Sequence, residues 1–193
     1  MALTPSTMLN LGTKAPDFQL PDVASGKIIS LETFAGKQGL LVMFICRHCP
    51  FVKHVQAELA QIGRDYADRE LGIVAISANN AETHREDAPD KLAIMATELG
   101  FVFPFCYDES QETAKAYTAA CTPDFFLFDA LLELAYRGQL DDTRPGSPQP
   151  VTGVDLRAAI DAVLAGKPAI AEQKPSIGCN IKWKPGNEPP YYG

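Results

Sequence analysis

Leu40-Leu41-Val42-Met43-Phe44-Ile45 is an unbroken apolar run no longer than a strand. A strand with one wet face alternates apolar and polar residues, so a run without alternation suits a strand covered on both faces, in the middle of an α/β sheet. Directly after it stand Cys46-Arg47-His48-Cys49-Pro50, and from there the apolar period changes. Val52, Val55, Leu59 and Ile62 lie three or four apart, with Gln56, Glu58 and Arg64 between them, which is helical spacing. Pro50 suits a first helical turn, where its missing N–H would have had no partner. The order is therefore buried strand, cysteine pair, helix.

The same alternation continues along the chain. A short strand within Ala15–Asp22 and a second at Lys27–Ser30 read as a hairpin, and Leu31–Phe34 as one helical turn. Leu71–Ser77 is another buried strand. A polar loop, Asn79–Asp87, leads to Pro89 and a helix ending near Leu99, stopped by Gly100. Phe103–Tyr107 reads as a short strand and Gln111–Tyr117 as a short helix. Asp124–Phe128 and Glu133–Arg137 form a second hairpin, and Thr152-Gly153-Val154-Asp155 resembles a capping box for a helix that Gly166 ends. Strand–helix–strand first and hairpin-plus-helix last predict a central mixed sheet covered on both faces, a three-layer α/β/α domain over residues 1–166. Residues 167–193 hold five prolines and no periodicity, and read as an irregular C-terminal extension packed on or near that domain.

With 193 residues, 46% hydrophobic and 21% charged, the chain has globular composition and enough length for a core without staples. A net charge of −7 argues against a nucleic-acid partner, since phosphate binding needs a basic surface. The longest apolar run, Gly39–Cys46, is too short to span a bilayer. Met1–Ser6 has no basic stretch followed by an apolar one, so no secretory signal is read and a cytoplasmic location is expected. Five cysteines, an odd number, cannot form a complete intramolecular disulfide framework.

Cys46 and Cys49 are the cysteines close in sequence, and their placement carries chemistry. A thiol at a helix N-terminus faces unpaired N–H groups and the positive end of the dipole, which favours its thiolate. The expected division of labour has Cys46 at the tip as the attacking nucleophile and Cys49, further in, as the resolving thiol. His48 and Arg47 would stabilise the Cys46 thiolate. The electrons would come from a protein dithiol or a small thiol, with no organic cofactor. Two alternatives stand beside this. The cysteines are two buried small side chains, or they join His48, His54 or His84 to hold Cu(I) or Zn(II), although no second Cys-x-x-Cys completes a tetrahedral site. Among the rest, Cys106 reads as core, Cys121 as a packed or accessory thiol, and Cys179 as an exposed, packed or late resolving one. His54 and His84 read as surface residues, Glu82–Asp90 as a solvated loop, and Trp183 as an anchor for the tail.

Ala15-Pro16-Asp17-Phe18-Gln19-Leu20-Pro21-Asp22, Gly36-Lys37 and the strand entering the cysteines resemble the opening of the peroxiredoxin/thioredoxin-like superfamily. Cys121-Thr122-Pro123-Asp124-Phe125-Phe126-Leu127-Phe128-Asp129 resembles that superfamily's cis-proline strand. The likeness covers about residues 12 to 165 and, with Ser176–Lys184, is closest to a peroxiredoxin-like (AhpC/TSA-type) branch carrying a thioredoxin-type Cys-x-x-Cys. It implies a thioredoxin-like fold, a cis Thr122–Pro123 bond facing Cys46 and Cys49, and a substrate strand paired to the Thr122 backbone. Antioxidant peroxide reduction is the alternative activity it implies. The chain departs from both parent patterns. With Cys49 as a peroxidatic cysteine, Val42 and Cys46 stand where that loop has proline and threonine. Leu40 stands where thioredoxins bury an acid, and Ile45 where they carry tryptophan.

Overall fold

The computed structural model of the chain describes residues 3–192. Its strands are β1 (Leu3–Pro5), β2 (Gln19–Pro21), β3 (Ile28–Ser30), β4 (Gly39–Phe44), β5 (Leu71–Ser77), β6 (Phe105–Tyr107), β7 (Cys121–Thr122), β8 (Asp124–Asp129), β9 (Leu134–Tyr136) and β10 (Ile177–Asn180). The helices are α1 (Pro50–Asp65), α2 (Pro89–Leu99), α3 (Glu112–Ala116) and α4 (Val154–Leu164). Five strands make the central sheet in the order β6-β5-β4-β8-β9. β4 pairs parallel with β5 and antiparallel with β8, so it is the middle strand of a mixed sheet.

The unbroken apolar run is explained by the two faces of β4. Leu41, Met43 and Ile45 enter one core with Val52, Val55, Leu59 and Ile62 of α1, Leu92 of α2 and Ile160 of α4. Leu40, Val42 and Phe44 enter the other, with Tyr117, Phe126, the β2–β3 hairpin, and Ile181 and Trp183 of the tail. Each fully buried apolar side chain contributes on the order of 1.5–3 kcal/mol, so the polar residue that alternation would demand is excluded at every position of β4. Gly100 takes the left-handed conformation (φ 65°) that ends α2, as a C-cap glycine should.

Two expectations are corrected. α4 is not opened by a capping box: Gly153 is its N-cap at φ 64° with no side-chain cap. Instead Asp141 accepts the backbone N–H groups of Thr152 and Gly153, each at 2.8 Å. The C-terminal extension is not irregular throughout either. β10 is the middle strand of a three-stranded sheet, β1-β10-β7, and so stitches the tail to both the N-terminal stretch and the Thr122–Pro123 turn. Among the described residues, no helix is long and apolar enough to cross a membrane.

Candidate active site

β4 ends at Phe44, and α1 begins at Pro50 with Cys49 as its N-cap (φ −67°, ψ 126°). Cys46 lies three residues ahead of the cap, against Thr122, its Sγ 3.4 Å from Thr122 Oγ1. Cys49 Sγ lies 3.2 Å from the carbonyl oxygen of the same residue. The Thr122–Pro123 bond is cis, as the family resemblance implied, and Thr122 lies against both sulfurs.

The expected exposure of Cys46 is corrected. Both cysteines are 0% exposed, so Cys46 is not a solvent-facing tip, and Cys49 is the residue on the helix N-terminus. Burial pushes the Cys46 thiol well up, with the nearby Cys49 and Asp87 adding to it. Cys49 moves the other way, down to about 4, first because the Cys46 thiol donates to it, with Cys179 and the Val52 amide of the first helical turn adding to the effect against burial. The Thr122 carbonyl opposes ionisation, since it is the natural acceptor for a protonated Cys49 thiol. The two thiols titrate together, and the opposite directions of their shifts favour the proton on Cys46 over Cys49.

His48 keeps a place beside the pair, with Nδ1 3.8 Å from Cys46 Sγ. Arg47 does not. Its guanidinium donates to the Lys91 carbonyl at 3.0 Å and pairs with Glu86 at 3.7 Å, so its charge is used at α2 and not on either sulfur.

The residue missing from the sequence reading is Asp87. It lies in the loop expected to be solvated, yet it is 0% exposed and ties the cysteine turn together. Its Oδ1 accepts the backbone N–H groups of Arg47 (2.8 Å) and His48 (3.1 Å). Its Oδ2 accepts from His48 Nδ1 (2.5 Å) and Asn79 Nδ2 (2.8 Å). Burial pushes this carboxyl up, and the bonds from His48, Asn79 and the backbone outweigh it, leaving it below the usual carboxylate value. His84 stacks on His48 with ring centroids 4.9 Å apart.

Asp87→Asn keeps the shape but replaces one accepting oxygen by a donor facing donors. It is expected to cost about 1–3 kcal/mol of stability, measured by urea unfolding, and a loss below a few tenths would mean the carboxylate is not what holds the turn.

Cys46, His48 and Asp87 bring their ligand atoms within 4.8 Å of one another. Asp87 already receives two donors on each oxygen, so it has no free lone pair to give a cation. Cys49 is not in that group, and His54 bonds Thr143 Oγ1 at 3.0 Å. The group brought together is thus Cys46, His48 and Asp87, not the pair of cysteines with a histidine that the metal alternative named.

Cys121 is adjacent to the site but turned from it, with Sγ 3.6 Å from the Pro123 carbonyl oxygen and Ser6 within reach of the sulfur. Cys106 is core, as expected. Cys179 is buried on β10 with its side chain against Cys49. A cavity of about 630 Å³, lined by residues including Leu20, Val23, Ala81, Pro89, Tyr107 and Lys184, has no cysteine in its wall.

These features can be set beside known proteins. A protein of Mycobacterium tuberculosis named as a peroxiredoxin is 29% identical over 117 residues, covering 61% of this chain and 69% of that one. The crystal structure of a conserved protein from Geobacillus kaustophilus matches with a TM-score of 0.94 and 52% identity, over 96% of this chain and 98% of that one. A thioredoxin-family thiol:disulfide interchange protein from Chlorobium tepidum has a TM-score of 0.62 at 19% identity, over 82% and 99% of the two chains, and shares the thioredoxin-like fold. The AhpC/TSA family model matches residues 11–137, the stretch holding the buried strand, the cysteine pair and the cis-proline turn, and this chain belongs to the AhpC/TSA family.

Proposed function

We propose that this protein is a thiol–disulfide oxidoreductase whose redox centre is Cys46 and Cys49, with the roles exchanged from those expected along the sequence. The observation that carries this reading is the position of Cys49 as N-cap of α1, with its thiol held far below the ordinary value by the Cys46 thiol beside it.

The Cys49 thiolate attacks one sulfur of a partner disulfide, and the partner's S–S bond breaks. One partner sulfur stays on Cys49, and the other leaves as a thiolate. Cys46 passes its proton to that leaving sulfur and attacks Cys49 Sγ, releasing the second partner thiol. The protein dithiol loses two electrons and the partner disulfide gains them. His48 positions the turn through Asp87, and Thr122 and Pro123 flank the two sulfurs; the Thr122 backbone does not take a substrate strand as expected, because β10 already pairs with it. Partners of this chemistry are protein dithiols or small thiols, and the odd cysteine count suits a reducing, cytoplasmic setting.

A second reading, reduction of a peroxide by Cys49 with an antioxidant role, is favoured by membership of the AhpC/TSA family. Against it stand Val42 and Cys46, both 0% exposed, at positions where the family's peroxide loop has proline and threonine.

The test is a redox titration in poised thiol buffers, with alkylation and mass mapping of the linked cysteines. The expected result is reversible oxidation at Cys49 with a potential near or above about −270 mV, the thioredoxin value. Cysteines that stay reduced across the range would end the reading. Oxidation by stoichiometric hydrogen peroxide much faster than by a disulfide would favour the peroxidase instead.

A further inference from the structure

The strand β10 brings a third thiol to the site. In the β10–β7 register Cys179 stands opposite Thr122, and its side chain contacts Cys49. Cys49 thus has one thiol from its own turn, Cys46, and another from the tail. The approach is built into the backbone. A Cβ on Gly178 would fall 2.0 Å from the Thr122 carbonyl oxygen and 2.6 Å from its carbon, positions fixed by the cis-proline turn. Bonds on both sides hold the strand there. Ser176 Oγ donates to the Pro123 carbonyl at 2.7 Å. The Lys182 N–H donates to Asn79 Oδ1 at 2.8 Å, and Asn79 also donates to Asp87. On the far edge, β1 pairs Leu3 with Cys179.

Resting on the reading of Cys49 as the attacking thiolate, we infer that Cys179 is a second resolving thiol, so that a mixed disulfide on Cys49 is closed either by Cys46 or by the tail. The step balances. Cys179 gives its proton to the partner thiolate released in the first attack, and its sulfur attacks Cys49 Sγ. The bond from Cys49 to the partner breaks, and the remaining partner sulfur leaves with the electron pair. A Cys49–Cys179 disulfide replaces the mixed one, and the partner is fully reduced. Burial pushes the Cys179 thiol up to about 12, so it needs that proton acceptor and does not compete with Cys49 for the first attack.

The experiment uses the full chain with Cys46→Ser, treated with oxidised glutathione, quenched with acid, alkylated and mapped by mass. The expected result is a Cys49–Cys179 link with release of both glutathione thiols. In Cys46→Ser/Cys179→Ser, Cys49 keeps one glutathione. Gly178→Ala added to Cys46→Ser pushes β10 off the turn and is expected to lower the yield of the link about tenfold, because disulfide closure tolerates little change in separation. A Cys46→Ser protein that stops with glutathione on Cys49 and Cys179 alkylated overturns the inference and leaves the reading of Cys49 intact. A Cys49 that remains a free, alkylated thiol in wild type and in Cys46→Ser alike overturns both.

Discussion

At pH 5 the reduced protein is expected to exchange with a small disulfide at close to its neutral-pH rate, and the Cys49→Ser protein only at the uncatalysed background. An ordinary thiol with a pKa of about 8.5 is ionised to only about one part in 3,000 at pH 5. Cys49, brought down to about 4 by the Cys46 thiol and its other donors, is still mostly thiolate there. Thiolate ultraviolet absorbance reads the same titration without requiring a reagent to enter a site that is 0% exposed. Between about pH 4 and the unfolded value near 9 the unfolded chain carries a proton that folded Cys49 lacks, so the contribution of Cys49 grows with pH over that window and is lost as pH falls through 4. Above 9 Cys46 acts in the opposite sense, because burial keeps it protonated while the unfolded thiol ionises. The pair therefore stabilises the reduced protein most near pH 9. A rate that follows an ordinary thiol curve, with its midpoint near 8.5, would remove the Cys49 assignment.

Arg137→Ala is expected to cost about 3–5 kcal/mol, the usual penalty for stripping one partner from a buried ion pair. Arg137 and Asp124 are both 0% exposed and paired. The guanidinium also donates to the Thr7 carbonyl at 2.9 Å and lies 3.7 Å above the Phe126 ring. Asp124 follows Pro123, and it further accepts Ser6 Oγ at 2.9 Å and the Ala120 N–H at 3.1 Å. With the arginine gone its charge is left buried beside the redox turn. At roughly 2–4 °C per kcal/mol for a chain of this size, calorimetry would show a midpoint lowered by on the order of 10 °C. Arg137→Met with Asp124→Leu removes both charges and is expected to recover part of the loss, limited by the Ala120 and Ser6 donors it orphans. A loss under about 1 kcal/mol in Arg137→Ala would show that the pair is dispensable.

What the sequence made legible was local. β4 needed no partner to be recognised, because two buried faces leave no position for a polar residue. The cysteine pair was evident from its place between that strand and a helical period. Asp87 was not, because Glu82, Glu86, Asp87 and Asp90 look alike in a row, and only the third is taken out of water by donors from Arg47, His48 and Asn79. Which thiol sits on the helix end was also beyond reach, since that depends on where β4 stops and the backbone turns. β10 was hidden for a related reason. Ile177-Gly178-Cys179-Asn180 has no alternation, and its partners, Leu3–Pro5 and Cys121–Thr122, lie far away in the chain.

The pairing of β1 with β10 makes the N-terminal end of the described chain a neighbour of the redox centre. Leu3 touches the strand that carries Cys179, and the following residues, Ser6 and Thr7, reach Asp124 and Arg137. A purification tag or a proteolytic nick ahead of β1 therefore acts one strand away from the strand that carries Cys179. Handling of the N-terminus becomes a chemical variable: a preparation that loses β1 leaves β10, and with it Cys179, held from one side only.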